Sequence, residues 1–124
     1  MPKKITILIA DDEESIIDLL KDRFEYEGLN VLTAISGTDA LSMLKQNTVD
    51  LILSDYRMPN GDGMSILDEL KKYPEKERPP FYFMSAYADI SEDHALEAGA
   101  KKFYHKPFSV SSLIKDVMKE IDQL

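Results

Sequence analysis

The sequence predicts an α/β fold: a mostly parallel five-stranded sheet with helices on both faces. Short β-rich apolar runs alternate with amphipathic helical stretches five times along the 124 residues. Such alternation demands right-handed crossovers and a parallel sheet. One run, Leu51-Ile-Leu-Ser54, is continuously apolar, as in a strand buried on both faces. The chain is also long enough: a folded monomer of this mass exposes roughly 6,700 Å² against about 20,000 Å² unfolded, so about two thirds is buried.

Ile5-Thr-Ile-Leu-Ile-Ala10 is the first strand. After Asp11-Asp-Glu-Glu14 come Ile16, Ile17, Leu20 and Phe24, three and four apart as on one helix face, and Gly28 stops that helix. Val31-Leu-Thr-Ala-Ile35 is the second strand. Ser36 offers an N-cap with Asp39 three residues on, ahead of Ala40, Leu41 and Leu44. Asp55 follows the third strand, and a loop with Pro59, Gly61 and Gly63 leads into a helix through Ile66, Leu67 and Leu70. Tyr73-Pro-Glu-Lys-Glu-Arg-Pro-Pro80 is polar and proline-rich like a linker, but the alternation resumes directly after it, so it is expected to join a helix to a strand. Phe81-Tyr-Phe-Met84 is the fourth strand, and Ser91 caps a weaker helix ending at Gly99. Lys101-Lys-Phe-Tyr-His105 is the fifth strand, and Ser109 opens a last helix through Leu113, Ile114, Val117 and Ile121.

Composition excludes several classes. The absence of cysteine rules out a disulfide framework and any thiolate metal site. No apolar run approaches the ~20 residues of a membrane helix, and no signal peptide opens the chain. A soluble, cytoplasmic domain over residues 1–124 is expected. With 23 acidic against 15 basic side chains, net −8, the surface repels phosphate backbones. Lys3–Lys4 and Lys101–Lys102 are the candidate basic clusters, and doublets are too small for direct nucleic-acid binding.

In an open parallel sheet, ligands bind beyond the carboxyl ends of the strands. Strand one delivers Asp11 and Asp12, strand three Asp55, strand four Ser85 and strand five Lys106. Singly, each has an ordinary reading: acids suit a helix N-terminus, Asp55 could form a turn, and a serine or lysine is common anywhere. Their joint arrival at one edge is what points to a site. Two carboxylates at ~4 Å repel by roughly 4 kcal/mol at an effective dielectric near 20. Three of them against one ammonium call for a hard divalent cation, and oxygen donors without His or Cys favour Mg²⁺, or Mn²⁺, over Zn²⁺. A carboxylate beside such a metal, a lysine and a hydroxyl is equipped for phosphoryl transfer.

The pair Asp11-Asp12, Asp55 in Asp-Tyr-Arg-Met-Pro59 with Gly63 beyond, Ser85-Ala86, and Lys106-Pro107 together resemble the receiver domain of two-component response regulators. The resemblance runs through the whole chain in order and is nearest to the single-domain, chemotaxis-type regulators. It implies the flavodoxin-like strand order 2-1-3-4-5. It further implies that Asp55 is the phosphoacceptor for a sensor histidine kinase or phosphotransfer protein. By the same resemblance Asp12 binds Mg²⁺ directly, Asp11 acts on it largely through water, and Arg57 offers its backbone carbonyl. Lys106 would pair with Asp55 or its phosphoryl group, Ser85 would turn inward to that group, and the Ala86 N–H would add a donor. The Lys106-Pro107 bond is expected to be cis. Tyr104 matches the switch aromatic coupled to Ser85, and serine in place of threonine loosens that coupling. Arg57 and Tyr87 sit where the family tunes phosphoryl lifetime, and their size implies some shielding from water. The output partner would bind helix four, strand five and helix five. Such a protein is a signalling switch that catalyses only its own phosphorylation and dephosphorylation.

His94 reads as a solvated side chain, and His105 points to the face of its strand opposite Lys106. A Mg²⁺-dependent phosphatase with an aspartyl nucleophile is disfavoured, because Arg57 stands where its acid would be and cannot give up a proton. A flavin module is disfavoured by the carboxylates at the first turn. A degenerate receiver acting as a constitutive binding module is disfavoured by the complete acid–serine–lysine set. Met1 favours a native amino terminus, while the stop at Leu124 fits either a free-standing regulator or an excised receiver.

Overall fold

The computed structural model describes residues 4–86 and 89–124; Tyr87 and Lys3 lie outside the described residues. Strands β1 (Thr6–Ala10), β2 (Asn30–Ala34), β3 (Leu51–Asp55), β4 (Phe81–Ala86) and β5 (Lys102–Lys106) alternate with helices α1 (Glu14–Tyr26), α2 (Gly37–Gln46), α3 (Gly63–Leu70), α4 (Glu92–Glu97) and α5 (Val110–Ile121). The strands form one parallel sheet in the order β2-β1-β3-β4-β5. This is the expected flavodoxin-like architecture.

Alternation along the strands divides the core. Ile7, Ile9, Leu51, Leu53, Tyr82 and Met84 face the helices that supply Ile17, Leu20, Phe24, Leu113, Ile114 and Val117. Leu8, Ala10, Ile52, Phe81 and Phe83 face Ala40, Ile66, Leu67, Leu70 and Ala95. Burial on both faces is why the central strands read as uninterrupted apolar runs.

The expected caps form: Ser36, Ser91 and Ser109 accept from the backbone N–H groups of Asp39, His94 and Ser112 at 3.0, 3.1 and 3.2 Å. One cap was not anticipated, Asp62, whose carboxylate accepts from Ser65 N–H at 3.0 Å and starts α3. β2 ends one residue before Ile35, because the Ile35 N–H turns to Asp39 Oδ2 at 3.1 Å and joins the helix cap. The proline-rich stretch holds a single 3₁₀ turn, Glu75–Glu77, closed by Arg78 donating to Tyr73 O at 2.8 Å. β5 is shifted by one residue from its predicted span, so Lys106 ends the strand instead of following it. Among the described residues no helix is long and apolar enough to cross a membrane.

Candidate functional site

The carboxyl ends of β1, β3, β4 and β5 meet at one edge of the sheet. Asp11 follows β1 directly and is fully buried, its N–H donating to Ala34 O at 3.0 Å. Its Oδ1 accepts from Glu13 N–H at 2.8 Å, which aims Oδ2 across the sheet edge. Asp55 is the last residue of β3 and only 6% exposed. Its backbone is held from two sides. Ser54 Oγ donates to the Asp55 carbonyl at 2.8 Å, and Gly63 packs against that same carbonyl. A Cβ on Gly63 would collide with the carbonyl oxygen and come within 2.7 Å of the Phe83 ring, so α3 can start this close only with glycine there.

Lys106 reaches from β5 over the end of β4. Its ammonium donates to Asp11 Oδ2 at 2.7 Å, Asp55 Oδ2 at 3.0 Å and Glu13 Oε1 at 3.0 Å. The pairing with Asp55 was expected. The pairing with Glu13 was not: in the sequence Glu13 read only as an acid opening a helix. Its place two residues after Asp11, in an acidic run leaving a strand, was the available signal.

These contacts shape the local charge. Burial pushes the Asp55 carboxyl up to about 6, opposed by the Lys106 hydrogen bond and reinforced by the charge of Asp11. Burial likewise raises Asp11 against the Lys106 and Glu13 hydrogen bonds. For Lys106 burial alone would lower the pKa, but the hydrogen bonds to Asp11 and Asp55 outweigh it and the ammonium is held charged above its ordinary value.

Carboxylate oxygens of Asp11, Asp12 and Asp55 all lie within 4.8 Å of one another. Asp12 is exposed at the mouth of this cluster while the other two are buried. An all-oxygen donor set with excess negative charge fits Mg²⁺, which prefers carboxylates and retained waters.

The remaining predicted residues take less direct places. Ser85 is fully buried, and its hydroxyl donates to the Ala86 carbonyl at 3.0 Å; it does not reach toward Asp55 here. Ala86 ends β4 and is exposed. The Arg57 guanidinium pairs with Asp89 at 3.1 Å, linking the loop after β3 to the segment after β4. Tyr104 is half-buried and donates its hydroxyl to Asp116 Oδ2 at 2.6 Å. His105 lies edge-on to Phe103, with ring centroids 4.7 Å apart, and takes no part in the cluster. The Lys106-Pro107 bond is cis, as expected.

Residues 7–118 match the response regulator receiver domain family. The response regulator SaeR of Staphylococcus aureus is 38% identical over 109 residues, which cover 87% of this chain and 46% of SaeR. The chain thus spans about half the length of that relative. The receiver domain of Francisella response regulator 1452 is 33% identical with a TM-score of 0.82, over 92% of this chain and 93% of that one. A CheY-like receiver domain protein from Methanospirillum hungatei is 25% identical with a TM-score of 0.86, over 98% and 96% of the two chains.

Proposed function

The chain belongs to the response regulator receiver domain family, and on that footing we propose that it is the phosphoacceptor of a two-component relay, with residues 1–124 as one receiver domain. The observation that carries this reading is the convergence of Asp11, Asp55 and Lys106, from three different strand ends, within hydrogen-bonding distance of one ammonium. Asp55 is the nucleophile. With its carboxyl near 6 it is ionised at neutral pH. One of its oxygens attacks the phosphorus of a phosphohistidine on a sensor kinase or phosphotransfer protein. The P–N bond breaks, and the leaving imidazole nitrogen keeps the electron pair.

Asp11, Asp12 and Asp55, with the Arg57 backbone carbonyl, would hold Mg²⁺. When bound, the metal supplies positive charge against the phosphoryl oxygens. Lys106 contributes an ammonium as well, exchanging Asp55 for a phosphoryl oxygen as the product forms. Ser85 and the Ala86 N–H donate to that phosphoryl group once the Ser85 hydroxyl leaves the Ala86 carbonyl. Rotation of Tyr104 then changes the α4–β5–α5 surface, where the output partner binds. The protein acts in the cytoplasm as a switch, catalysing only its own phosphorylation and dephosphorylation.

Incubation with acetyl phosphate, with and without Mg²⁺, followed by intact mass tests this directly. A Mg²⁺-dependent gain of one phosphoryl group that vanishes in Asp55→Asn is expected. No gain with any divalent metal would instead make the domain a degenerate receiver with a constitutive binding face.

A further inference from the structure

Helix α5 carries two acids one turn apart, and each accepts a tyrosine hydroxyl from the sheet beneath. Tyr82 of β4 donates to Glu120 Oε1 at 2.9 Å, and Tyr104 of β5 donates to Asp116 Oδ2 at 2.6 Å. Each acid also has a lysine from the start of β5: Lys101 Nζ stands 2.7 Å from Glu120, and Lys102 Nζ 3.9 Å from Asp116. The two sets share their chemistry but not their surroundings. Tyr82 is 0% and Glu120 9% exposed, so separating them would strand buried polar groups. Tyr104 is only half-buried, the Asp116 side chain is 35% exposed, and the lysine beside it is too distant for a good hydrogen bond. One pair is a fixed part of the core and the other can open into water.

We infer that Asp116 is a positioning residue: it latches the Tyr104 hydroxyl onto α5 in the resting state and sets how readily that ring leaves. This deepens the proposed function and rests on its reading of Tyr104 as the switch. The ring otherwise meets Tyr82 and Phe108, each with centroids 6.2 Å away, contacts that a rotating ring gives up gradually. Among the described residues the hydroxyl–carboxylate bond is the one directional tether on the side chain, and hydrogen bonds to charged acceptors are the stronger class. Tyr104 also lies opposite Met84 in the β4–β5 register, one position from the Ser85–His105 pair, so the latch stands next to the predicted inward path. Opening it leaves the Asp116 carboxylate uncovered beside Lys102, which changes the charge offered on the β5–α5 surface.

The test compares wild type, Asp116→Ala, Tyr104→Phe and the double variant, using beryllofluoride as the phosphoryl mimic at fixed Mg²⁺. In the free protein, Asp116→Ala should move the Tyr104 ring resonances toward their beryllofluoride-bound positions. It should also lower the half-saturating beryllofluoride concentration by about tenfold, the order of one hydrogen bond to a charged group. In the Tyr104→Phe background the same substitution should change that concentration less than twofold. Unchanged ring resonances in free Asp116→Ala, or an undiminished effect without the tyrosine hydroxyl, would overturn the latch. If beryllofluoride leaves the wild type unaltered, the phosphoacceptor reading fails, and the latch is still judged by Tyr104 resonances and hydroxyl exchange in the free protein.

Discussion

Lys106 Nζ lies 2.7 Å from Asp11 Oδ2, joining residues 95 positions apart in the chain. The contact is shorter than the 3.0 Å from the same ammonium to Asp55. The lysine is therefore anchored on a fully buried acid that need not move, and Asp55 shares it as the second partner. Such an arrangement would keep the cation in place if Asp55 gave up its oxygen to a phosphoryl group, as the proposed function requires.

Removing that cation exposes the repulsion it hides. Lys106→Met should lower stability by about 3 kcal/mol at pH 7.5, because buried carboxylates lose their counter-charge. Their folded pKa values would rise further, above the wild-type Asp55 value of about 6, so the deficit should shrink as pH falls toward 6 and they take up protons. Denaturant titrations at pH 4.5 and 7.5 read this; an equal deficit at both would mean that the lysine serves only as packing.

The raised Asp55 carboxyl has its own signature in pH. A folded value of about 6 against an ordinary 3.8 means the fold favours the protonated form, so wild type loses stability as pH rises through this window. Asp55→Asn should match wild type below pH 4 and exceed it by about 3 kcal/mol well above pH 6. Adding Mg²⁺ should narrow the gap, since wild type alone presents the full donor set. Curves that stay parallel across pH 4 to 7 would contradict the shift.

Metal binding can be separated from folding at Asp12. This carboxylate is exposed at the mouth of the cluster, so Asp12→Ala should leave the melting temperature within about 2 °C of wild type. Mg²⁺ affinity, measured by calorimetry, should nevertheless fall about tenfold. A large loss of stability with unchanged affinity would assign Asp12 a structural part instead.

Gly63→Ala tests how α3 positions Asp55. The added methyl would meet the Asp55 carbonyl and the Phe83 ring, neither of which can retreat without moving a central strand. A cost of about 2–3 kcal/mol is expected, together with slower phosphorylation by acetyl phosphate. Wild-type rates in a destabilised variant would show that Asp55 tolerates displacement of its backbone.

At the other end of β4, Tyr82→Phe should cost about 1 kcal/mol, since Glu120 keeps Lys101 at 2.7 Å. Glu120→Ala should cost more, about 2–3 kcal/mol, because it leaves the buried Tyr82 hydroxyl without its partner. Thermal unfolding of both variants gives the order, and the reverse order would overturn this reading of the pair.

Much of this was legible in the chain itself. Alternating apolar periodicity set the order of elements, because each strand and helix face must match a local repeat of two or 3.6 residues. Ser36, Ser91 and Ser109 marked helix starts for an equally local reason, since a cap bonds a backbone N–H three residues on. The edge at which Asp11, Asp55 and Lys106 would meet followed from topology, because every parallel strand delivers its next residue to the same side. What the sequence could not settle was which oxygen each side chain would take. Glu13 competes for Lys106, Ser85 turns to its own carbonyl, and Tyr104 goes to Asp116. Those choices depend on distances of about 3 Å between groups brought together by burial, and only the packed sheet and helices decide them.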